Sequence, residues 1–98
     1  MSDVLDGFDW DDGNRQKCRK HGLTELQIEA VLRGPLRTFP DVEHSAAETR
    51  YLGIGCTEAG RHVLIAYTLR LVGGRRLIRP ISARYMHAKE VKHHEAQI

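Results

Sequence analysis

The sequence predicts an α+β domain in which a small antiparallel sheet has helices packed on one face. The first observation behind this prediction is an amphipathic segment between Thr24 and Gly34 with helix signals at both ends. The second is a series of three β-rich runs after residue 48, the last two joined by Gly73-Gly74, a pair typical of a two-residue hairpin. Because 98 residues bury only one modest core, we expect one domain over residues 1–98 with a shallow functional surface.

The first half of the chain is predicted to form one short strand and two helices. The predicted elements are a strand at 8–10, a basic helix at 15–20 and an amphipathic helix that begins at Thr24 and ends at Gly34-Pro35. The turn at 11–14 can cap the basic helix, and Gly22 ends it. In the amphipathic helix, Gln27 completes a capping box with Thr24, and the apolar positions form a single stripe, as a core-facing helix requires.

The second half is predicted to form an antiparallel sheet followed by a helix. The predicted segments are a weak strand at 36–39, a polar loop at 41–47, strands at about 49–55, 61–71 and 76–84, and a polar helix at 88–95. Pro80 cannot donate to a ladder, so the last strand should lie at an edge or carry a bulge there. We expect the last helix to pack by Val91, with His93 and His94 solvated. The acidic segment 1–7 is expected to be flexible and the tail 93–98 frayed.

Charge is distributed unevenly along the chain. The net charge is +2, yet residues 1–13 hold five Asp and no Lys or Arg, so the other 85 residues carry a net charge of +7. Between Ala59 and Lys89 there are six Arg, one Lys and no acid. Such a stretch suits a phosphate-bearing partner, because the planar guanidinium matches phosphate oxygens in pairs. A solvated sheet face is the alternative interpretation.

The sequence predicts a protein that is not exported and that needs no metal or cofactor. The N-terminus lacks a signal peptide and no stretch approaches the ~20 apolar residues of a membrane span, which predicts a cytoplasmic protein with no membrane contact. Cys18 and Cys56 are then expected to be reduced thiols. Cys18 with His21, and Glu90 with His94, have helical spacing, but two ligands do not make a zinc site. Phosphate-binding loops and dinucleotide fingerprints are absent.

Cleavage of RNA is one reaction that the remaining polar residues can support. The ribose 2′-OH attacks the adjacent phosphorus once a base takes its proton, an acid protonates the leaving 5′ oxygen, and cations stabilise the phosphorane. His21, in Lys20-His21-Gly22 at a helix end, is the foremost acid/base candidate, and Glu48 is a second possible base. The candidate cations are Arg50, Arg61, Arg79 and Arg84, and the candidates for hydrogen bonding or base stacking are Tyr67 and Tyr85.

The main candidates also have structural interpretations. His21 could cap the carbonyl groups of the preceding helix, and Glu48 could pair with Arg50. Arg84 could attach the last helix to the sheet, and the ring of Tyr67 could lie in the core. These alternatives remain open at the level of the sequence.

Short motifs in order from residue 8 to about residue 90 resemble the BrnT toxin family. The most specific are Trp10-Asp11, Lys20-His21-Gly22 and Ile81-Ser82-Ala83-Arg84. The other matching segments are Phe8-Asp9, Asn14, Leu23, Glu48-Thr49-Arg50-Tyr51, Gly60-Arg61, Tyr67-Thr68 and Arg70. Pro80 departs from the pattern, because many relatives carry an aliphatic residue there, and this implies a bent strand. The dense acidic N-terminus also departs from it and could shield the basic face.

The resemblance implies a RelE-like fold and a metal-independent endoribonuclease that cleaves cellular RNA and inhibits translation and growth. It also implies a type II toxin-antitoxin system, in which a ribbon-helix-helix antitoxin (BrnA-like) neutralises the toxin in a heterotetramer and binds operator DNA. Together with the polar residues at the strand ends, it gives a functional surface of catalytic and RNA-binding residues. The catalytic set is His21, Glu48, Arg61, Arg79 and Arg84, and the RNA-binding set is Lys20, Arg50, Tyr67, Arg70 and Ser82.

Two other functions are compatible with the same residues. The first is a catalytically degenerate module that holds RNA or the antitoxin through Arg61, Arg79 and Arg84 and acts in operon autoregulation. In the second, the Lys and Arg residues are ordinary surface residues and the chain binds no RNA. Salt-dependent RNA binding without new 2′,3′-cyclic phosphate ends would distinguish the first of these from a nuclease.

Overall fold

The computed structural model describes residues 5–44 and 48–97. Outside it lie residues 1–4 of the predicted flexible segment, residues 45–47 of the predicted polar loop and residue 98 at the end of the predicted tail. Within the described residues the chain forms five strands and three α-helices. In chain order they are β1 (Gly7–Phe8), α1 (Asp12–Arg19), α2 (Glu25–Arg33), β2 (Arg37–Pro40), β3 (Arg50–Cys56), β4 (His62–Val72), β5 (Arg75–Tyr85) and α3 (Ala88–Ala96). A 3-10 helix over Val42–His44 lies in the predicted loop. The predicted α+β fold class is confirmed.

The five strands form one sheet in the order β1-β5-β4-β3-β2. Strands β2 to β5 pair antiparallel as predicted, and only the short β1 runs parallel to its neighbour, β5. The tight turn between β4 and β5 has positive φ at both Gly73 (+57°) and Gly74 (+79°), a backbone conformation that favours glycine at each position.

One face of the sheet packs against α2 and forms the core. The buried stripe of α2 is Ile28, Val31 and Leu32, and it clusters with Val63 and Ile65 of β4. Thr24 begins this helix as predicted, because its hydroxyl accepts from the backbone N–H of Gln27 while the Gln27 side chain accepts from the backbone N–H of Thr24. We call this side of the sheet the core face.

Helix α1 packs against β5, where the strand is irregular. The register between β4 and β5 shifts at Tyr67, which pairs with Pro80, while the preceding Ala66 pairs with Ser82, so Ile81 forms a bulge. The prediction of an edge or bulge at Pro80 is thereby confirmed. The carbonyl oxygen of Pro80 accepts a hydrogen bond of 2.8 Å from Nδ2 of Asn14, a buried residue of α1. The bulge is therefore the point at which α1 is attached to the sheet.

The third helix differs from the predicted arrangement because it lies over the opposite face. Glu90 of α3 pairs with Arg84, which shares that face with Leu64 and Ile54 through the register of the strands. His94, predicted to be solvated, is instead buried, and this prediction is wrong. The cause is a long-range contact, since the ring of His94 packs edge-on against that of His62.

Candidate functional site

The face opposite the core carries two arginines on either side of a buried threonine. The register aligns Arg50 of β3, Thr68 of β4 and Arg79 of β5 in one row across the sheet. Neighbouring strands lie about 4.8 Å apart, so the backbones of the two arginines are roughly 10 Å apart. Thr68 is 1% exposed, and its hydroxyl donates to the carbonyl oxygen of Thr49 at 2.7 Å. We call this side of the sheet the basic face.

A cleft of about 270 Å³ opens over this row. Its lining includes the predicted residues Glu48, Arg50, Arg70 and Arg79 together with Lys17 of α1, and we call it the arginine cleft. Lys17 was not among the site residues predicted from the sequence. The signal was present, because Lys17 stands three residues after Asn14 and so shares the helix face that docks on β5.

Carboxylates already neutralise part of this charge. Nη2 of Arg79 lies 2.9 Å from a carboxylate oxygen of Asp11, and its Nη1 lies 3.5 Å from one of Asp9. Nη2 of Arg70 donates to Glu48 at 3.0 Å, and this hydrogen bond holds the pKa of Glu48 below its usual value. Glu48 thus pairs with Arg70, whereas the structural alternative raised from the sequence was Arg50.

His21 lines a second and smaller cleft on the same face. This cleft of about 90 Å³, which we call the histidine cleft, is also lined by Ser82, Arg84 and the apolar Leu52, Leu64 and Ala66. Ser82 pairs with Ala66, which stands two residues before Thr68 on β4, so the two clefts are about 7 Å apart along the strands. His21 reaches this position because the chain turns at Gly22, where φ is +90°.

Arg84 fixes α3 to the sheet, as the structural alternative for this residue proposed. Its Nη1 and Nη2 atoms each donate to one carboxylate oxygen of Glu90 at 2.8 Å. The same carboxylate accepts from the backbone N–H of His87 at the start of α3. These contacts with Arg84 and His87 lower the pKa of Glu90 to about 2.

Three predicted site residues lie outside the two clefts. The guanidinium of Arg61 stacks 3.5 Å from the ring centre of Tyr85 in a separate cleft that also contacts α2. Tyr67 lies on the core face, where it is only 8% exposed and stacks on Tyr51, and burial raises its pKa. Lys20 is exposed at the end of α1. The geometry therefore brings together His21, Glu48, Arg50, Arg70, Arg79, Ser82 and Arg84, but not these three.

Residues 5–44 and 48–97 contain no group of three or more His, Cys, Asp or Glu arranged to hold a metal ion. Both cysteines are free thiols, and burial raises the pKa of Cys18 to about 11. None of the helices in the same residues is long and apolar enough to cross a membrane.

Comparison with known proteins identifies the family. A search of curated proteins gives no match. A family model described as the ribonuclease toxin BrnT of type II toxin-antitoxin systems matches residues 10–90, which include every residue named above as lining the arginine and histidine clefts. Because this span is most of the 98-residue chain, the protein belongs to the BrnT family of ribonuclease toxins.

Proposed function

We propose that the basic face is the site at which this chain cleaves RNA, as a metal-independent endoribonuclease that inhibits translation and growth. The observation that carries the proposal is the convergence of Lys17, Arg50 and Arg79 on one cleft, with His21 lining the next cleft on the same face. Membership of a ribonuclease toxin family supports RNA as the substrate.

The two clefts divide the chemistry between them. In the arginine cleft, Lys17, Arg50 and Arg79 bind backbone phosphates, and their charge stabilises the phosphorane. His21 exchanges protons with the 2′-OH and the leaving 5′ oxygen, an exchange that contributes roughly 10²- to 10⁴-fold to rate in enzymes. No metal is needed because the nucleophile is part of the RNA. Glu48 is a poor base in this scheme, because a lowered pKa makes its carboxylate a weaker proton acceptor and the hydrogen bond from Arg70 occupies one of its oxygens.

A second candidate function is a degenerate module that binds RNA or antitoxin without cutting. It is favoured by three ion pairs on the basic face. They are Arg79–Asp11, Arg84–Glu90 and Arg70–Glu48. A charged group that is already paired gives less electrostatic stabilisation to a reacting phosphate than one aimed at it alone. Binding strength and cleavage must therefore be measured separately.

The regulatory partner is an antitoxin, since the family is defined by type II toxin-antitoxin systems. We propose that it is a ribbon-helix-helix protein of the BrnA kind, which forms a heterotetramer with the toxin and binds operator DNA. This part of the proposal rests on the resemblance of the motifs at Trp10-Asp11, Lys20-His21-Gly22 and Ile81-Ser82-Ala83-Arg84 to the family.

The test is cleavage of a defined RNA by the purified chain in excess EDTA. We expect products with 2′,3′-cyclic phosphate ends, and no product when the nucleotide at the cleavage site is 2′-deoxy. Lys17→Ala should slow cleavage by about tenfold or more, because a cation leaves the site of charge development. The matched control Lys92→Ala, on the exposed side of α3, should stay within about twofold.

Three results would contradict the proposal. They are cleavage that stops in EDTA, cleavage of the 2′-deoxy substrate, and equal rates for Lys17→Ala and the wild type. RNA binding that weakens with salt but yields no new ends would instead establish the degenerate module.

A further inference from the structure

An apolar groove separates α3 from the basic face. Its volume is about 440 Å³. Its floor is formed by Leu52, Ile54 and Leu64 of the central strands, and Phe39 and Met86 also line it. None of these five side chains offers a charged or amide group to a ligand. The groove is thus suited to apolar side chains rather than to a phosphate backbone.

The rim of this groove is positively charged. The guanidinium of Arg37 has three hydrogen-bond contacts, with Nδ1 and the carbonyl oxygen of His94 and with the side-chain oxygen of Gln97. Among the described residues, none of the ion pairs to a carboxylate involves Arg37. Lys89 of α3 also lines the rim. The acid at this position, Glu90, is engaged by both nitrogens of Arg84. A ligand with apolar groups and a carboxylate would complement both the floor and the rim.

The groove adjoins the histidine cleft. Leu52 and Leu64 line both of them, so their side chains form a shared boundary. A segment seated on these leucines would extend to the entrance of the cleft that contains His21 and Ser82. Occupancy of the groove would therefore restrict access of RNA to His21.

We propose that the α3 groove binds a short amphipathic segment of the antitoxin, with apolar side chains on Leu52, Ile54 and Leu64 and an acidic residue facing Arg37 and Lys89. This inference rests on the proposed function for the existence of the partner and adds the surface that it occupies. In this arrangement the bound segment covers the histidine cleft, and the antitoxin neutralises the toxin by keeping RNA away from His21. A protein is favoured over RNA because the floor is apolar. It is favoured over a second copy of this chain because Asp9 and Asp11, of the acidic N-terminal stretch, are already paired with Arg79 within the chain.

The experiment measures binding of the full-length chain to the protein encoded by the neighbouring reading frame, by calorimetry at moderate salt. Lys89→Glu and Met86→Glu should each weaken binding by about tenfold or more, since one reverses a rim charge and the other adds a carboxylate to an apolar wall. Lys92→Glu, one helical turn from Lys89, is the matched control and should stay within about twofold. An acid-to-Lys change in the partner should restore binding to Lys89→Glu.

RNA cleavage by the free variants separates this inference from the proposed function. We expect Lys89→Glu to cleave RNA as the wild type does, yet to resist inhibition by the partner. If cleavage is absent from every protein while the groove variants lose the partner, the inference holds and the nuclease proposal fails. The inference is overturned if the partner binds both groove variants as tightly as the wild type, or does not bind the wild type. It is also overturned if the variants change only RNA binding or only self-association in sedimentation.

Discussion

Asp11 performs two roles at the boundary between α1 and the basic face. Its Oδ1 atom accepts from the backbone N–H of Asn14 at 3.1 Å and so caps α1, the helix that carries Lys17. Its Oδ2 atom lies 2.9 Å from Nη2 of Arg79. Both contacts lower the pKa of Asp11, the backbone hydrogen bond more than the arginine. Asp11 therefore neutralises part of the charge of Arg79 in the arginine cleft.

Removing only the charge of Asp11 should strengthen RNA binding. Asn is as good an N-cap as Asp, so Asp11→Asn keeps α1 while Arg79 becomes more available to phosphate. We expect severalfold tighter binding to single-stranded RNA at low salt, measured by fluorescence anisotropy. Asp12→Asn is the control, because that carboxylate is 99% exposed and lies 3.8 Å from Arg15. Equal affinity of Asp11→Asn and the wild type would show that Asp11 does not shield the cleft.

The Arg84–Glu90 pair predicts a pH-dependent contribution to stability. The folded pKa of Glu90 is about 2, below its unfolded value, so the pair stabilises the fold above pH ~4.5 and loses its effect as pH falls towards 2. Glu90→Gln keeps an acceptor for the N–H of His87 but removes the charge. We expect a loss of about 1 kcal/mol or less at pH 7, since the pair is one-third exposed, and a smaller difference at pH 3.

Urea unfolding of the two proteins at both pH values measures this difference. A difference that stays constant or grows as the pH falls would contradict the assigned role of the pair.

Close packing of α2 on β3 predicts that a side chain at Gly55 destabilises the fold. A Cβ atom built at Gly55 would lie 2.8 Å from Cγ1 of Val31, whereas the nearest atom to one built at Gly53 is Cδ2 of Leu36, at 3.1 Å. Overpacking of this kind typically costs about 1–3 kcal/mol. Gly55→Ala should lower the free energy of unfolding by that amount, and Gly53→Ala by less. Equal stability of both variants in urea titrations would argue against this packing.

The two thiols should differ sharply in reactivity. Cys18 is fully buried and its pKa is raised to about 11, so its thiol stays protonated at neutral pH, whereas Cys56 is exposed. The thiolate is the reactive form. We expect one equivalent of a thiol reagent to label the native protein at Cys56, and two equivalents after unfolding in guanidinium. Rapid labelling of native Cys18, read by mass spectrometry, would contradict the buried position of α1.

Local signals explain why most elements were predictable from the sequence. The capping box at Thr24 and the glycine pair at residues 73 and 74 are short-range patterns, and the structure confirms both. The position of α3 was not predictable, because the helix is largely polar and is attached through Arg84 and the buried His94 rather than through an apolar stripe. Such contacts join residues of different elements, and the periodicity of the sequence within one element does not reveal them.

The candidate site was predictable only in part, for the same reason. The alternation of side chains between the two faces of a strand is sufficient to place Arg50 and Arg79 on a face. The row that they form with Thr68 depends on the register in which β3, β4 and β5 pair. Arg61 was grouped with them on charge, yet it stacks on Tyr85 elsewhere. Lys17 was overlooked because its place in the cleft depends on how α1 docks at the bulge in β5.

The most direct test of RNA cleavage at the basic face is the single-turnover rate of cleavage by His21→Ala in excess EDTA. We predict a rate at least about 100-fold below that of the wild type, with RNA binding retained, because a general acid or base has been removed from the histidine cleft. His44→Ala, an exposed histidine that lines neither cleft, should cleave at the wild-type rate. Equal rates for His21→Ala and the wild type would contradict the claim that this face cleaves RNA through His21.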